Sequence, residues 1–368
     1  MATHVHDSAR PSAVVCDRTA LEPGEAQMSR LLELTIKPFV PFVRHIWRRL
    51  PVALRQTRPA RRIGTFFYDH YVRGTYRDQT HYTWFLRNIA QLRLLTEVVS
   101  AHPRGQPLRI ASIGCSVGAE LYSTLWLLRR YHPWLQVVAR GIDTSANVIE
   151  VARKGVYRLR TPSPQGGTLE LNGAKVLTTV PNALNDIMDM TPEGDFRIKD
   201  WIREGVSWTV ADATDPGLAA IIGPQDVVIA CNVLGPMDDA IAEACLRGLV
   251  KLIVPGGTLV LDGIDLDLKS RVTQSLGLKP MTRYLEEIHT ADPTKGDWPW
   301  TRWSHEPIDY QRADWHYRYA TVFGVASSDE RRQENAIDRP DAVLAVDAPV
   351  LAVSMSNTDS STPAGIAR

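Results

Sequence analysis

From Leu108 onward, short apolar runs alternate with segments long enough to form helices, and this alternation limits the possible fold more than any other feature of the chain. The runs are 108–113, 135–142, 206–210, 226–230 and 258–261. Strands that are apolar throughout must be covered on both faces, and the intervening helices supply that cover, so the pattern predicts an α/β fold with a parallel, Rossmann-like sheet. Residues 316–326 could supply a last, antiparallel strand. Upstream, 29–100 reads as a small helical N-terminal domain: 66–76 is dense in aromatics, and 83–99 sets Trp84, Ile89, Leu92, Leu95 and Val99 at roughly helical spacing. The main domain is expected over 101–326. The stretches 1–28 and 327–368 are rich in Ala, Ser, Asp, Thr and Pro and poor in aromatics, which predicts mobile tails.

Two features mark a ligand site at the carboxyl edge of the sheet. The run Arg109-Ile-Ala-Ser-Ile-Gly114-Cys-Ser116-Val-Gly118-Ala-Glu120 ends a strand in small residues and opens a helix, so a ligand can come close to the backbone there. By itself such a turn occurs at many junctions that bind nothing. Asp143 closes the next apolar run, 25 residues beyond Gly118, where one carboxylate can grip both hydroxyls of a ribose. It could equally cap the helix that starts near Ser145. Further along, Val206-Ser-Trp-Thr-Val-Ala-Asp212-Ala213 places an acid just past a strand, suited to an adenine amino group. Asp226-Val-Val-Ile-Ala-Cys231-Asn232 runs a strand into a polar turn, and Leu252-Ile-Val-Pro-Gly256-Gly257 feeds another. Nicotinamide dinucleotides and S-adenosylmethionine share this logic, but Gly114-Cys-Ser-Val-Gly118 lacks the GxGxxG spacing of a dehydrogenase.

Taken together, the motifs resemble the CheR family, methyltransferases that esterify glutamates on bacterial chemotaxis receptors. Gly114-Cys-Ser-Val-Gly-Ala-Glu-Leu-Tyr-Ser123 keeps six positions of the family's Cys-Ser-x-Gly-Glu-Glu-Pro-Tyr-Ser motif. Asp143-Thr followed by Val151-Ala-Arg-Lys-Gly-Val-Tyr157 is similar to its second motif, and Phe196-Arg-Ile-Lys-Asp-Trp-Ile-Arg-Glu-Gly-Val206 to the lead into its third strand. Thr83-Trp-Phe-Leu-Arg87-Asn88 resembles its Thr-x-Phe-Phe-Arg segment. The likeness runs from about Gly64 to Gly263. It implies a class I methyltransferase sheet, S-adenosylmethionine as cofactor, and cofactor contacts from Thr83, Arg87, Gly114, Ser116, Gly118, Glu120, Asp143, Asp212, Ala213, Cys231 and Asn232. Arg87 suits the methionine carboxylate, because a planar guanidinium pairs well with it.

The acceptor side departs from the family. Where the family reads Cys-Arg-Asn-Val-x-x-Tyr, this chain reads Ala230-Cys231-Asn232-Val233-Leu234-Gly235-Pro236, so Cys231 and Pro236 replace an arginine and a tyrosine. Neither can orient a carboxylate acceptor. The acceptor is therefore unidentified, a small molecule or a protein carboxylate, with oxygen or nitrogen receiving the methyl group. A cofactor-binding module that has lost its chemistry is the alternative. Asp297-Trp-Pro-Trp300-Thr-Arg-Trp303-Ser-His305-Glu306, with Tyr310, Trp315 and His316 behind it, could wall an acceptor pocket or simply pack a domain interface. His305 is the only base that suggests itself there, although a lone histidine among aromatics is more often structural.

Charge and cysteine usage complete the expectations. A net charge of +1 gives no general bias toward nucleic acid, and none is expected as partner. Cys16, Cys115, Cys231 and Cys245 are widely spaced, without the pairing of a zinc site, which suits reduced thiols in a cytoplasmic protein. The start lacks a signal-peptide pattern, and the best apolar stretch, 31–47, is too short to span a bilayer and holds Lys37, Pro38, Pro41 and Arg44. Seven arginines, Arg44, Arg48, Arg49, Arg55, Arg58, Arg61 and Arg62, crowd 19 residues. They could recruit a negatively charged partner, form a solvated surface, or meet anionic lipid while Phe39, Phe42, Ile46 and Trp47 dip into a membrane interface.

Overall fold

A computed structural model describes residues 39–73, 81, 83–160, 168–171, 174–177, 183–291, 297–301 and 306–327. The expected tails lie outside these residues, Ser327 apart. Helices α1 (Val40–Arg49) and α2 (Arg58–Phe67) each begin near a proline, Pro41 and Pro59, where the missing amide hydrogen costs no helical bond. A single turn, Val52–Arg55, joins them. Their inner faces meet the distant segment around 297–311. Trp47 donates its indole N–H to the Trp298 carbonyl at 3.1 Å, and the Phe67 and Trp300 rings lie 5.2 Å apart. At Gly64 a Cβ would come within 2.2 Å of the Trp298 ring, so only glycine admits that tryptophan.

Four of the clustered arginines face the same segment. Arg44 and Arg48 donate to Asp297 at 2.8 and 2.6 Å, Arg61 to the Ile308 carbonyl at 2.6 Å, and Arg58 to the side chain of Gln311. Exposed ion pairs contribute only about 0–1 kcal/mol each. The buried aromatic cluster of Trp47, Phe67, Trp298 and Trp300 therefore carries most of the docking, and the arginines set its register.

The helical reading of 83–99 needs correction. Thr83–Phe85 is a strand, β1, paired in parallel with residues 174–176, and helix α3 (Ile89–Val99) starts four residues later. The break has a local cause. Leu86 sits at φ 54°, a left-handed conformation that a helix cannot pass through. Asn88 then caps α3 by accepting from the Gln91 amide at 3.1 Å, and its own amide group donates to the Ile288 carbonyl at 2.8 Å.

The expected sheet follows: β2 (Leu108–Ile113), helix α4 (Ala119–Tyr131), β3 (Val137–Asp143) and helix α5 (Ala146–Lys154). Next come short strands that the sequence pattern does not reveal: β4 (Val156–Tyr157), β5 (Leu159–Arg160), β6 (Thr168–Leu171), β7 (Ala174–Leu177), β8 (Met188–Met190) and β9 (Phe196–Ile198). They form two small sheets, ordered β1-β7-β6-β5 and β4-β9-β8. The main sheet resumes with β10 (Val206–Val210), β11 (Gln225–Cys231), helix α6 (Asp239–Lys251), β12 (Ile253–Asp262), helix α7 (Leu266–Ser275) and β13 (Lys279–Met281). Residues 316–326 supply the expected last strand as β14 (Val322–Gly324), preceded by a short helix, α8 (Trp315–Tyr319).

The seven strands are ordered β10-β3-β2-β11-β12-β14-β13, all parallel except β14, which runs antiparallel to both neighbours. This is the expected Rossmann-like arrangement with its reversed last strand. Alternate residues feed opposite cores. Ile110, Val227, Ile229 and Val260 pack with Leu121 and Leu125 of α4 and Leu95 of α3, while Ala111, Val228, Ala230 and Leu261 pack with Leu246 of α6 and Val272 of α7. Helix α3 thus shares the core of the sheet. Strand order reverses between β2 and β11, which opens a crevice at their carboxyl ends.

One contact fixes how closely β10 and β3 can approach the turn after β2. Trp208 of β10 covers two glycines, and a Cβ would come within 2.3 Å of its ring at Gly141 and 2.6 Å at Gly118. Gly141→Ala should therefore destabilise the protein by about 1–3 kcal/mol in urea unfolding, the usual cost of overpacking. Trp208→Leu in the same chain should recover part of the loss, since the collision is with that ring alone among the large side chains; equal, additive losses would show that the crowding lies elsewhere.

Candidate active site at the switch point of the sheet

The turn after β2 is built from left-handed residues, Gly114 at φ 64°, Ser116 at 50° and Gly118 at 87°. A side chain at Gly114 would strike Val233, at 2.7 Å, so this turn and the one after β11 are pressed together. Asp143, 6% exposed at the end of β3, holds the turn in place. Its carboxylate accepts the Ser116 amide at 2.9 Å through one oxygen and the Ser145 amide at 3.0 Å through the other. Asp143 thus steadies the approach to α5 and also ties two strand ends together. Each oxygen keeps a lone pair for a further donor, as a vicinal diol requires. The Ser116 hydroxyl donates to the His81 carbonyl at 2.7 Å, two residues before half-buried Thr83 opens β1.

Beside this turn, Arg87, Glu120, Cys231 and Asn232 line one narrow cleft together with Trp84, Asn88, Gln91 and Asp262. Arg87 comes from the bend between β1 and α3 and reaches the Asn232 amide oxygen at 3.4 Å. Glu120 stands in the first turn of α4. Burial, with Asp262 nearby, pushes its carboxyl up to about 7, although Arg87 and the Cys231 thiol pull the other way. Cys231 is held well above the usual thiol range by burial and by the carboxylates of Glu120 and Asp262. A protonated thiol that donates to Glu120 is no nucleophile, so the structure gives Cys231 a packing and hydrogen-bonding role.

Two predicted residues stand apart from this cleft. Asp212 is exposed, and its carboxylate accepts from the amide and hydroxyl of Thr214, both at 2.8 Å. Ala213 accepts the Cys245 thiol at 3.3 Å on its carbonyl. They adjoin Asp143 along the chain edge, since the Ala211 amide donates to the Asp143 carbonyl. Asp262, Asn88 and Gln91 escaped sequence reading. Asp262 lies just past the run 258–261, while Asn88 follows the Thr83–Arg87 motif directly and carries a capping signal.

A second cavity, of about 230 Å³, adjoins the cleft. Tyr68, Asp69, Gly235, Asp265 and Trp298 are among its lining residues. The two spaces share a wall at Gly263, where any Cβ would lie 2.2 Å from the Asn232 side chain. Of the aromatic candidates, Trp298 lines this cavity and also packs the N-terminal helices, Trp300 only packs, and Tyr310 and Trp315 meet edge-on at 5.2 Å. Trp303 and His305 lie outside the described residues. Glu306 is bound by Arg318, at 3.0 Å.

The donor set fits an amino-acid nucleoside. A guanidinium and a carboxylate face one cleft, suited to a ligand's own carboxylate and ammonium, and a buried strand-end carboxylate stands at the adjacent glycine turn for a ribose.

Comparison with known proteins agrees. A family model described as CheR methyltransferase, SAM binding domain, matches residues 81–266. Among curated relatives, "Chemotaxis protein methyltransferase 2" of Vibrio cholerae is 28% identical over 189 residues, covering 49% of this chain and 60% of that protein. "Probable biofilm formation methyltransferase WspC" of Pseudomonas putida is 27% identical over 207 residues, covering 54% and 44%. The aligned part thus spans less than two thirds of either relative. Among solved structures, the citrinin polyketide synthase CMeT domain is 15% identical over 64% of this chain and 51% of its own, at a TM-score of 0.32. Magnesium protoporphyrin IX methyltransferase from Synechocystis, solved with bound SAM, is 14% identical over 72% and 90%, at 0.29. Such low scores carry no argument, and the fold rests on the strand order itself. The matched half of the chain contains the glycine turn, Asp143 and the whole Arg87–Glu120–Asn232 cleft, and the chain belongs to the CheR methyltransferase family.

Proposed function

We propose that this protein transfers a methyl group from S-adenosylmethionine to an oxygen or nitrogen acceptor held in the cavity beside Gly263. The observation that supports this most directly is the convergence of Arg87 and Glu120 in one cleft, next to the turn that Asp143 fixes. When bound, the cofactor supplies the methyl group from its sulfonium. The chain's own residues do the rest. Arg87 pairs with the amino-acid carboxylate, Glu120 with the ammonium, and Asp143 with the ribose hydroxyls. Thr83, Gly114, Ser116 and Gly118 bring backbone and hydroxyl groups to the same turn, while Asp212 and Ala213 border the adenine end. Asn232 stands between cleft and cavity. Methyl transfer needs in-line placement above all, so a rigid wall at Asn232 and Gly263 matters more here than a base.

The names of the curated relatives favour a protein acceptor. Cys231 and Pro236 argue against the acceptor contacts that the family's receptor enzymes use, because neither can hold a glutamate carboxylate. The same two residues keep a second reading in play, a binding module without turnover. Labelled S-adenosylmethionine offered with a cell extract separates the readings: transfer of label to an extract component supports the enzyme, and S-adenosylhomocysteine binding with no transfer supports the module.

Three outcomes are expected of the purified protein. Asp143→Ala should weaken S-adenosylhomocysteine by about 1–3 kcal/mol in calorimetry, about five- to 150-fold, because a buried polar group loses its partner. Affinity should also depend on pH through Glu120. Its carboxyl sits near 7 before binding and must be ionised to receive an ammonium, so affinity is full above that pH and falls below it, by about tenfold at pH 6. Glu120→Gln should bind more weakly and show a flat profile between pH 6 and 8; a profile unchanged from the parent protein would remove Glu120 from the site. Finally, peptides from chemotaxis receptors should remain unlabelled, and strong labelling of their glutamates would show that Cys231 and Pro236 do not set the acceptor.

A further inference from the structure

The N-terminal helices keep one face that neither the fold nor the proposed reaction uses. Helix α1 turns Arg44, Trp47 and Arg48 toward Asp297 and Trp298. Phe39, Phe42, Ile46 and Arg49 follow one another at spacings of three, four and three residues, so they form a stripe on the opposite side. Phe39 is 62% exposed, Phe42 64% and Ile46 44%. Helix α2 repeats the arrangement, with Arg61, Gly64 and Phe67 turned inward and Arg62, Ile63 and Phe66 turned out. Val52 and Leu54 in the joining turn are 61% and 51% exposed. Because both helices rest on the same segment, their outer stripes face away from the body.

Charge selects the partner. Residues 34–68 contain seven arginines and no acidic residue. Arg49 and Arg62 are exposed beside the apolar stripe, whereas Arg44, Arg48, Arg58 and Arg61 are turned to the body. We propose that this face seats the protein on an anionic lipid surface, with Phe39, Phe42, Ile46, Ile63 and Phe66 entering the interface and Arg49 and Arg62 meeting lipid headgroups. An acidic protein would be drawn by the arginines alone and has no need of large apolar side chains interleaved at helical spacing. No described helix is long and apolar enough to cross a membrane, so the contact is peripheral. None of these residues lines the cofactor cleft.

The test is flotation of the full chain with vesicles of phosphatidylcholine alone or mixed with phosphatidylglycerol. Binding is expected only to the mixed vesicles. It should weaken at least about tenfold in a Phe39→Ser, Phe42→Ser, Ile46→Ser variant, and also in Arg49→Gln, Arg62→Gln. Raising salt from 0.1 to 1 M, which shortens the Debye length from about 10 to about 3 Å, should reduce it without abolishing it. Unchanged S-adenosylhomocysteine affinity in both variants would confirm that the fold and the cofactor site are intact. The proposal is overturned if the mixed vesicles do not bind, or if the serine variant binds as well as the parent. It is also overturned if soluble polyglutamate binds the same face as tightly as lipid does, which would identify an acidic polypeptide as partner.

Discussion

The amide of Ser116 donates to a carboxylate that is almost wholly withdrawn from water, and that bond sets the geometry of the cleft. Asp143 belongs to β3 and Ser116 to the turn after β2, so one side chain fastens two strand ends at the point where strand order reverses. The left-handed residues at 114, 116 and 118 can persist because the surroundings determine them several times over. Val233 presses on one side, Trp208 on the other, and the Ser116 hydroxyl is engaged with His81. Such a turn cannot relax when empty, so a ligand meets backbone already in position.

Long-range fastening of another kind joins the N-terminal helices to the body. Trp47, Phe67, Trp298 and Trp300 form a small core of their own, separate from the two clusters that cover the sheet. Arg73 extends the attachment by donating to Asp265 and Asp267 at 3.0 and 2.9 Å, at the start of α7 and just past Gly263. The N-terminal segment therefore forms part of the wall of the cavity through Tyr68 and Asp69, and that cavity depends on elements nearly 200 residues apart in sequence, as the Arg73–Asp265 pair illustrates.

Sequence reading recovered what is written locally. The apolar runs gave β2, β3, β10, β11 and β12 because a strand covered on both faces is mostly apolar, and Leu108–Ile113, buried at all positions but Arg109, matches to the residue. Gly114, Gly118 and Asp143 were legible because their backbone and position requirements are carried by residue type. The stretch 83–99 misled because the spacing of Trp84, Ile89 and Leu92 is helical, while the left-handed turn at Leu86 is held by its amide's bond to the Ser123 hydroxyl, a tertiary contact. Asp262 was hidden in the same way: only pairing of β12 with β11 brings it opposite Cys231. The short strands between Val156 and Ile198 lack the length for any periodic signal.

Cys231 stands where the family's resemblance would put an arginine, and its thiol is neutral. The cleft thereby loses a positive charge, leaving Glu120 and Asp262 with Arg87 as the nearby cation. A carboxyl poised near neutrality is a proton reservoir. Near neutral pH, filling the cleft with a cation would release part of a proton to solvent and emptying it would draw the same part back, so ligand exchange there would be coupled to the surrounding buffer.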